Sequence, residues 1–222
     1  MIALLPMKAN SERVPNKNFR VIAGKPLFAW ILDTLLNLDF LERIVINTDA
    51  DLNIFGNYLN NKKIFFRVRK SELRGDFLSM NKILEDDILE CKSDNYLMTH
   101  TTNPVLSART IIEANKVFNS RNRLKNDTLF SVTRFQGRFY REDFSAVNHN
   151  PNELLRTQDL PAMYFENSCL YLFSQEDFFL NNARIGKKPI MFETPQLESI
   201  DIDTEIDWFI AEAVLQKENR PE

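Results

Sequence analysis

Two groups of residues, one near each end of the sequence, have the types and spacing for phosphate chemistry. Near the start, Lys8, Arg13 and Lys17 place three cations within ten residues, interleaved with Asn10, Ser11 and Asn18. Ammonium and guanidinium groups among amide and hydroxyl donors suit a polyanion such as a nucleoside triphosphate. By composition alone the same stretch also reads as a solvated surface loop. Near the end, Ile200-Asp201-Ile202-Asp203 alternates apolar and acidic residues. On a strand, period-two geometry puts both carboxylates on one face and both isoleucines on the other. Two carboxylates projecting together repel unless a cation sits between them. A hard divalent ion that also holds phosphate oxygens, Mg²⁺, fits that need. The competing reading is a helix cap, because Thr204-Glu205-Ile206-Asp207 resembles a capping box. Capping explains one acid and not both.

The elements that must position these groups follow from hydrophobic periodicity. Ile2–Leu5, Arg43–Asn47, Ile64–Val68, Tyr96–Met98, Leu129–Thr133, Tyr164–Phe173 and Pro189–Phe192 read as buried strands. Pro26–Leu38, Asp51–Asn60, Phe77–Cys91, Ala108–Phe118 and Thr204–Gln216 read as helices. In the last of these, Ile206, Phe209, Ile210, Ala213 and Val214 are expected to face inward. Strand–helix alternation predicts an α/β fold with a mainly parallel, doubly wound sheet. In such a sheet ligands belong at the carboxyl ends of the strands, where a loop after the first strand would meet them. The pattern breaks from Phe135 to Tyr164, which predicts an excursion from the sheet.

Composition narrows the partners. At 222 residues the chain suits a single domain, 1–222. A net charge of −3 points to neither nucleic acid nor an anionic membrane surface. No apolar run reaches transmembrane length, and residues 1–5 enter a strand without a basic leader. The two cysteines, Cys91 and Cys169, have no metal-ligand spacing, which fits a reducing, cytoplasmic location. Only two histidines, His100 and His149, argue against a His-based metal centre. Among five glycines neither a Rossmann nor a P-loop fingerprint occurs.

Taken in order along the chain, several segments resemble the acylneuraminate cytidylyltransferase family, the CMP–sialic acid synthetases and their relatives. They are Pro6 through Asn18 with Gly24-Lys25-Pro26-Leu27, Asn47-Thr48-Asp49, Arg69 through Asp76, and Thr102-Asn103-Pro104. Arg156-Thr157-Gln158-Asp159-Leu160-Pro161, Glu166-Asn167-Ser168 and Ser199 through Thr204 complete the set. The resemblance implies a nucleotide-diphospho-sugar transferase-like sheet and Mg²⁺-dependent transfer of CMP from CTP to a 2-keto sugar acid. By position in the motif, Lys8, Asn10, Ser11, Arg13, Lys17, Asn18, Arg69 and Thr102 would bind the nucleotide. Lys17, Arg13 and Asp203 would be catalytic, and Asp201 and Asp203 would hold the metal. His100, Arg156, Gln158 and Asn167 would face the acidic sugar. Residues 134–163 resemble the arm by which family members form homodimers, which gives the exposed aromatics of that stretch a partner.

The sequence departs from the family at several of these positions. Lys8 stands where Arg is usual, keeping the charge without the bidentate fork. Asn10 stands near an expected glycine and can take a left-handed conformation. Glu12 suits a phosphate loop only if it points outward. His100-Thr101-Thr102-Asn103-Pro104 replaces a Gln-Pro-Thr-Ser-Pro segment, and Leu106 replaces an Arg. His100 then either hydrogen-bonds a different acceptor or is a satisfied core histidine. Two rival enzymes remain: a cytidylyltransferase for a phosphorylated sugar, polyol or other small metabolite, and a D-x-D glycosyltransferase.

Overall fold

The computed structural model describes residues 1–11, 14–75 and 77–218. Its centre is a seven-stranded sheet built from β1 (Ile2–Leu4), β4 (Arg43–Thr48), β5 (Ile64–Val68), β6 (Asn95–Thr99), β7 (Leu129–Phe135), β8 (Met163–Ser174) and β9 (Ile190–Glu193). A two-stranded hairpin, β2 (Val21–Ile22) and β3 (Lys25–Pro26), stands apart from it. The sheet order is β5-β4-β1-β6-β8-β7-β9. β1 pairs in parallel with both β4 and β6, β4 with β5, and β7 with β9, whereas β8 runs antiparallel to β6 and β7. The expected mainly parallel sheet is present, with β8 as the reversed strand. The chain leaves β1 toward β4 and β5, then returns to lay β6 on the other side of β1. That reversal opens a crevice between the carboxyl ends of β1 and β6.

Period-two segregation in the strands makes the sheet doubly wound. Ala3, Leu5, Ile44, Ile46, Leu97, Leu170 and Leu172 pack in one buried cluster. Their alternating neighbours Ile2, Leu4, Val45, Tyr96, Met98, Tyr171 and Phe173 pack in another. The first face is covered by α1 (Leu27–Leu36) through Phe28, Ile31 and Leu35, and by α3 (Ala108–Asn119) through Ile111, Ala114 and Phe118. The second is covered by α2 (Met80–Glu90) through Leu84 and Ile88, and by α4 (Gln175–Asn181) through Phe178. Asp51–Asn60, expected as an α-helix, is a 3₁₀ segment over Leu52–Asn60 broken at Gly56, where φ is 51°. No helix among the described residues is long and apolar enough to cross a membrane.

A third cluster joins the two ends of the chain. Val14, Ile22, Leu27, Val105 and Ile202 pack with Trp208, Ala211 and Leu215 of α5 (Glu205–Glu218). Full burial of Ile202 contributes about 1.5–3 kcal/mol, and an aspartate there would pull the acidic segment away from the sheet. The burial of α5 differs from the expected pattern. Ile206, Phe209, Ile210 and Ala213 are exposed and Val214 is partly buried, while Trp208, Ala211 and Leu215 face the core. The apolar residues of α5 form two stripes, and the structure buries the one that can reach Ile202. The excursion after Phe135 is held together internally. Asn148 Nδ2 donates to the carbonyls of Gly137 (2.8 Å) and Pro161 (2.9 Å). Tyr140, Phe144, Leu154 and Leu155 nonetheless remain exposed.

Candidate active site

The loop after β1 is fixed by its own residues. Asn18 Nδ2 donates to the Lys8 carbonyl (2.7 Å), and Thr101 Oγ1 donates to Asn18 Oδ1 (2.6 Å), so Asn18 ties this loop to the one after β6. Ala9 N donates to Asp49 Oδ1 at 2.7 Å. Asn16, with φ of 52°, takes the left-handed turn; Asn10, the residue expected to do so, is not among the positive-φ residues. The turn delivers Lys17 inward, where it is buried. Its Nζ donates to the Ile202 carbonyl and lies 3.4 Å from Asp203 Oδ1.

At the other end of the chain, residues 201–203 form no ladder with the sheet. Ile202 N donates to the Thr102 carbonyl at 2.9 Å, which pins the segment beside β6. With Ile202 inward and Ile200 partly buried, the acids turn to the opposite side, as alternation predicts. The cap of α5 is made by its neighbours. Thr204 Oγ1 accepts from Asp207 N (3.3 Å), and Asp207 Oδ2 accepts from the backbone N–H groups of Asp203 (3.1 Å) and Thr204 (2.7 Å). Capping is therefore done by Thr204 and Asp207, and the Asp203 carboxylate faces Lys17.

These groups line one cleft of about 410 Å³ with Pro6, Met7, Lys8, Asn10, Ser11, Asn18, Arg69, His100, Thr102 and Asp201. A larger hollow of about 750 Å³ lies at the amino end of β6 around Lys92, Asp94 and Arg123, remote from both motifs. Arg69 forms the floor of the cleft. Its Nε donates to Asn47 Oδ1 (2.8 Å), and its terminal nitrogen donates to the carbonyls of Asn47 (2.8 Å) and Met7 (3.2 Å). Burial lowers its pKa against the pull of Asp49 and Asp87. Burial also pushes the His100 imidazole down to about 3, helped by the positive Arg184 and Lys17, so it is neutral in the cleft. Asp201 is raised, first by burial and then by Asp203, against a hydrogen bond from Thr102. Its Oδ1 is buried without a hydrogen-bond partner. An orphaned carboxylate oxygen beside a second acid is the donor set a hard cation satisfies. Among the described residues no group of three or more His, Cys, Asp and Glu could hold a metal by itself. An ion here would draw its remaining ligands from phosphate oxygens and water.

Four of the expected residues stand elsewhere or are not described. Arg13 lies outside the described residues. Arg156 is exposed on the arm and pairs with Asp159 (2.7 and 3.1 Å), and Gln158 is exposed beside it. Asn167 is buried next to the cleft, where Nδ2 donates to Thr133 Oγ1 (3.0 Å) and Thr194 Oγ1 (2.7 Å). Its neighbour Ser168 is the residue of that strand lining the cleft, turned there by a φ of 60°. Met80 and Arg184 also line it and had no signal in the sequence: each is a lone side chain whose importance comes from a distant segment.

A family described as cytidylyltransferase matches residues 2–219 of this chain. The N-acylneuraminate cytidylyltransferase of Escherichia coli O18:K1:H7 (strain RS218 / NMEC) is 24% identical, over 99% of this chain and 53% of its own length. The CMP-N,N'-diacetyllegionaminic acid synthase of Legionella pneumophila subsp. pneumophila is 26% identical, with 97% of this chain and 96% of that protein covered. The chain thus spans about half the length of the first relative and nearly all of the second. A solved structure of CMP:2-keto-3-deoxy-manno-octonic acid synthetase complexed with CTP superposes with a TM-score of 0.66 at 14% identity, covering 98% of each chain. That likeness establishes the α/β fold.

Proposed function

The chain belongs to the cytidylyltransferase family, a family of nucleotidyltransferases, and from that premise we propose that it transfers CMP from CTP to the anomeric hydroxyl of a 2-keto sugar acid. The observation that carries this reading is the approach of Lys17 Nζ to within 3.4 Å of Asp203 Oδ1 in a cleft lined by both motifs. In the reaction the acceptor oxygen bonds to the α-phosphorus as the bond from that phosphorus to the β-phosphate bridging oxygen breaks. Pyrophosphate leaves with the electron pair of the broken bond, and the acceptor proton passes to a carboxylate or to water. Such a transfer needs charge neutralisation and in-line positioning more than a protein nucleophile.

The side chains divide by charge. Lys8 and Lys17, with Asn10 and Ser11 beside them, bind the triphosphate, and Arg13 joins them by its place in the family motif. Asn18 and Arg69 hold the two loops at the right separation, and Thr102 aligns the acidic segment. His100, neutral, offers a hydrogen bond to the acceptor without repelling the cations around it. Asp201 and Asp203 would hold Mg²⁺, which would supply charge neutralisation at the phosphates. Arg156 and Gln158 project on the arm at 134–163, so their contact with sugar requires a partner subunit. A homodimer that exchanges arms would bring them there and cover Tyr140 and Phe144.

The test is incubation with CTP, Mg²⁺ and a panel of 2-keto sugar acids, read as pyrophosphate release. Pyrophosphate that depends on all three components is expected. Its absence with every acid would refute the reading, and consumption of a nucleotide sugar without pyrophosphate would indicate a glycosyltransferase.

A further inference from the structure

The cleft is lined by a further cation, Arg184, which belongs to neither sequence motif. Arg184 follows Asn182, whose left-handed φ of 52° ends α4, and its backbone N–H donates to Asn81 Oδ1 (3.3 Å) on α2. The guanidinium carbon stacks 3.8 Å above the Tyr171 ring, and NH2 donates to Tyr171 Oη at 3.0 Å. NH1 meets the Met98 thioether at 3.6 Å, and Glu166 Oε1 lies 3.6 Å from NH2. Only 18% of the side chain is exposed. A guanidinium has five N–H donors, and among the described residues this one meets a single oxygen at hydrogen-bond length. The group is largely buried and stacked on Tyr171, with donor capacity left over.

Arg184 also borders a second hollow of about 350 Å³, lined by Ser79, Met80, Asn81 and Glu166. Met80 and Arg184 are shared with the main cleft, so the two cavities adjoin at these side chains. His100 lines the main cleft together with both Arg184 and Lys17. In a 2-keto sugar acid the attacking hydroxyl and the carboxylate share the anomeric carbon, so an acceptor beside His100 with that hydroxyl toward Asp203 turns its carboxylate to the Arg184 side of the same cleft. The ligand group that fits Arg184 is planar and singly charged. A carboxylate matches the guanidinium fork, and Glu166 repels its single charge less than the double charge of a phosphate.

We propose that Arg184 is the specificity-determining residue that binds the acceptor's carboxylate from the same subunit. The adjoining hollow takes the rest of the sugar, and Glu166 accepts from one of its hydroxyls. This rests on the cytidylyl-transfer reading above and narrows it to unphosphorylated acids.

The experiment compares wild type, Arg184→Gln and Arg184→Lys in Mg²⁺–CTP with N-acetylneuraminic acid, 2-keto-3-deoxy-manno-octonic acid and N,N'-diacetyllegionaminic acid, read as pyrophosphate. For an acid that wild type uses, KM for the acceptor should rise about 10- to 100-fold in Arg184→Gln, with KM for CTP within about twofold. Arg184→Lys should show a smaller rise, because the charge survives and the fork does not. The acceptor's methyl ester should be used equally poorly by all three proteins. An unchanged acceptor KM in Arg184→Gln overturns the proposal and leaves cytidylyl transfer standing. A parallel rise in both KM values, or preference for a phosphorylated acceptor, also overturns it. Silence of wild type with all acids overturns the functional reading and the proposal together.

Discussion

Replacing His100 with Gln should make the protein more tolerant of acid, by an amount the cleft sets. In the folded chain the imidazole pKa falls from 6.5 to about 3, chiefly by burial and then by Arg184 and Lys17. Between those values the unfolded chain binds a proton that the folded chain refuses. Stability is therefore fully present above the unfolded pKa and is lost as pH falls through that window. Going from about pH 7.5 to about pH 5, this one group should remove about 2 kcal/mol. With a urea slope of about 2 kcal/mol per M, that is a midpoint shift of about 1 M. Asp201 responds in the opposite sense, since its raised pKa favours the folded state on protonation, but it is present in both proteins and cancels in the comparison. Urea titrations of wild type and His100→Gln at the two pH values measure the difference. Equal losses in the two proteins would refute a neutral, desolvated His100.

Three further outcomes test the two halves of the site and its surroundings. Asp203→Asn should abolish most Mg²⁺-dependent turnover while leaving the thermal midpoint within a few degrees of wild type, because Thr204 and Asp207 make the helix cap; near wild-type rates would remove Asp203 from the chemistry. Lys17→Ala should weaken CTP binding about 10- to 100-fold by loss of a charge-assisted contact, measured by calorimetry; unchanged affinity would take Lys17 out of the nucleotide site. Sedimentation at micromolar concentration should give a dimer, with Phe144→Ser shifting it toward monomer; wild type sedimenting as a monomer would refute arm exchange.

The strands were legible because their residues segregate by parity, as Ile2 and Leu4 do against Ala3 and Leu5. Both halves of the site were legible because each is contiguous: a cationic loop after one strand, and an alternating acidic pair. Features that depend on distant segments were not. The Ala23-Gly24 turn of the β2–β3 hairpin, with φ of 45° and 97°, lacks the Asn-Gly signature such turns usually carry. The stripes of α5 have the same helical spacing, so periodicity could not choose between Phe209 and Trp208. α4 is too short for a periodic signal and follows the apolar run of β8 directly. The Arg156–Asp159 pair shows the reverse case. Its i,i+3 spacing is that of a local ion pair, although the family resemblance assigns Arg156 to the acidic sugar.

The bond from Lys17 to Ile202 spans 185 positions of sequence, and this has a consequence for biosynthesis. At a translation rate of about 5–20 residues per second, the cationic loop waits roughly 10–40 s for its acidic counterpart to be made. The sheet needs nothing beyond Glu193, the last residue of its final strand, so it can pair before the acids emerge. A transcript cut short between those points would encode a chain with every strand of the sheet and without the acidic pair that faces Lys17.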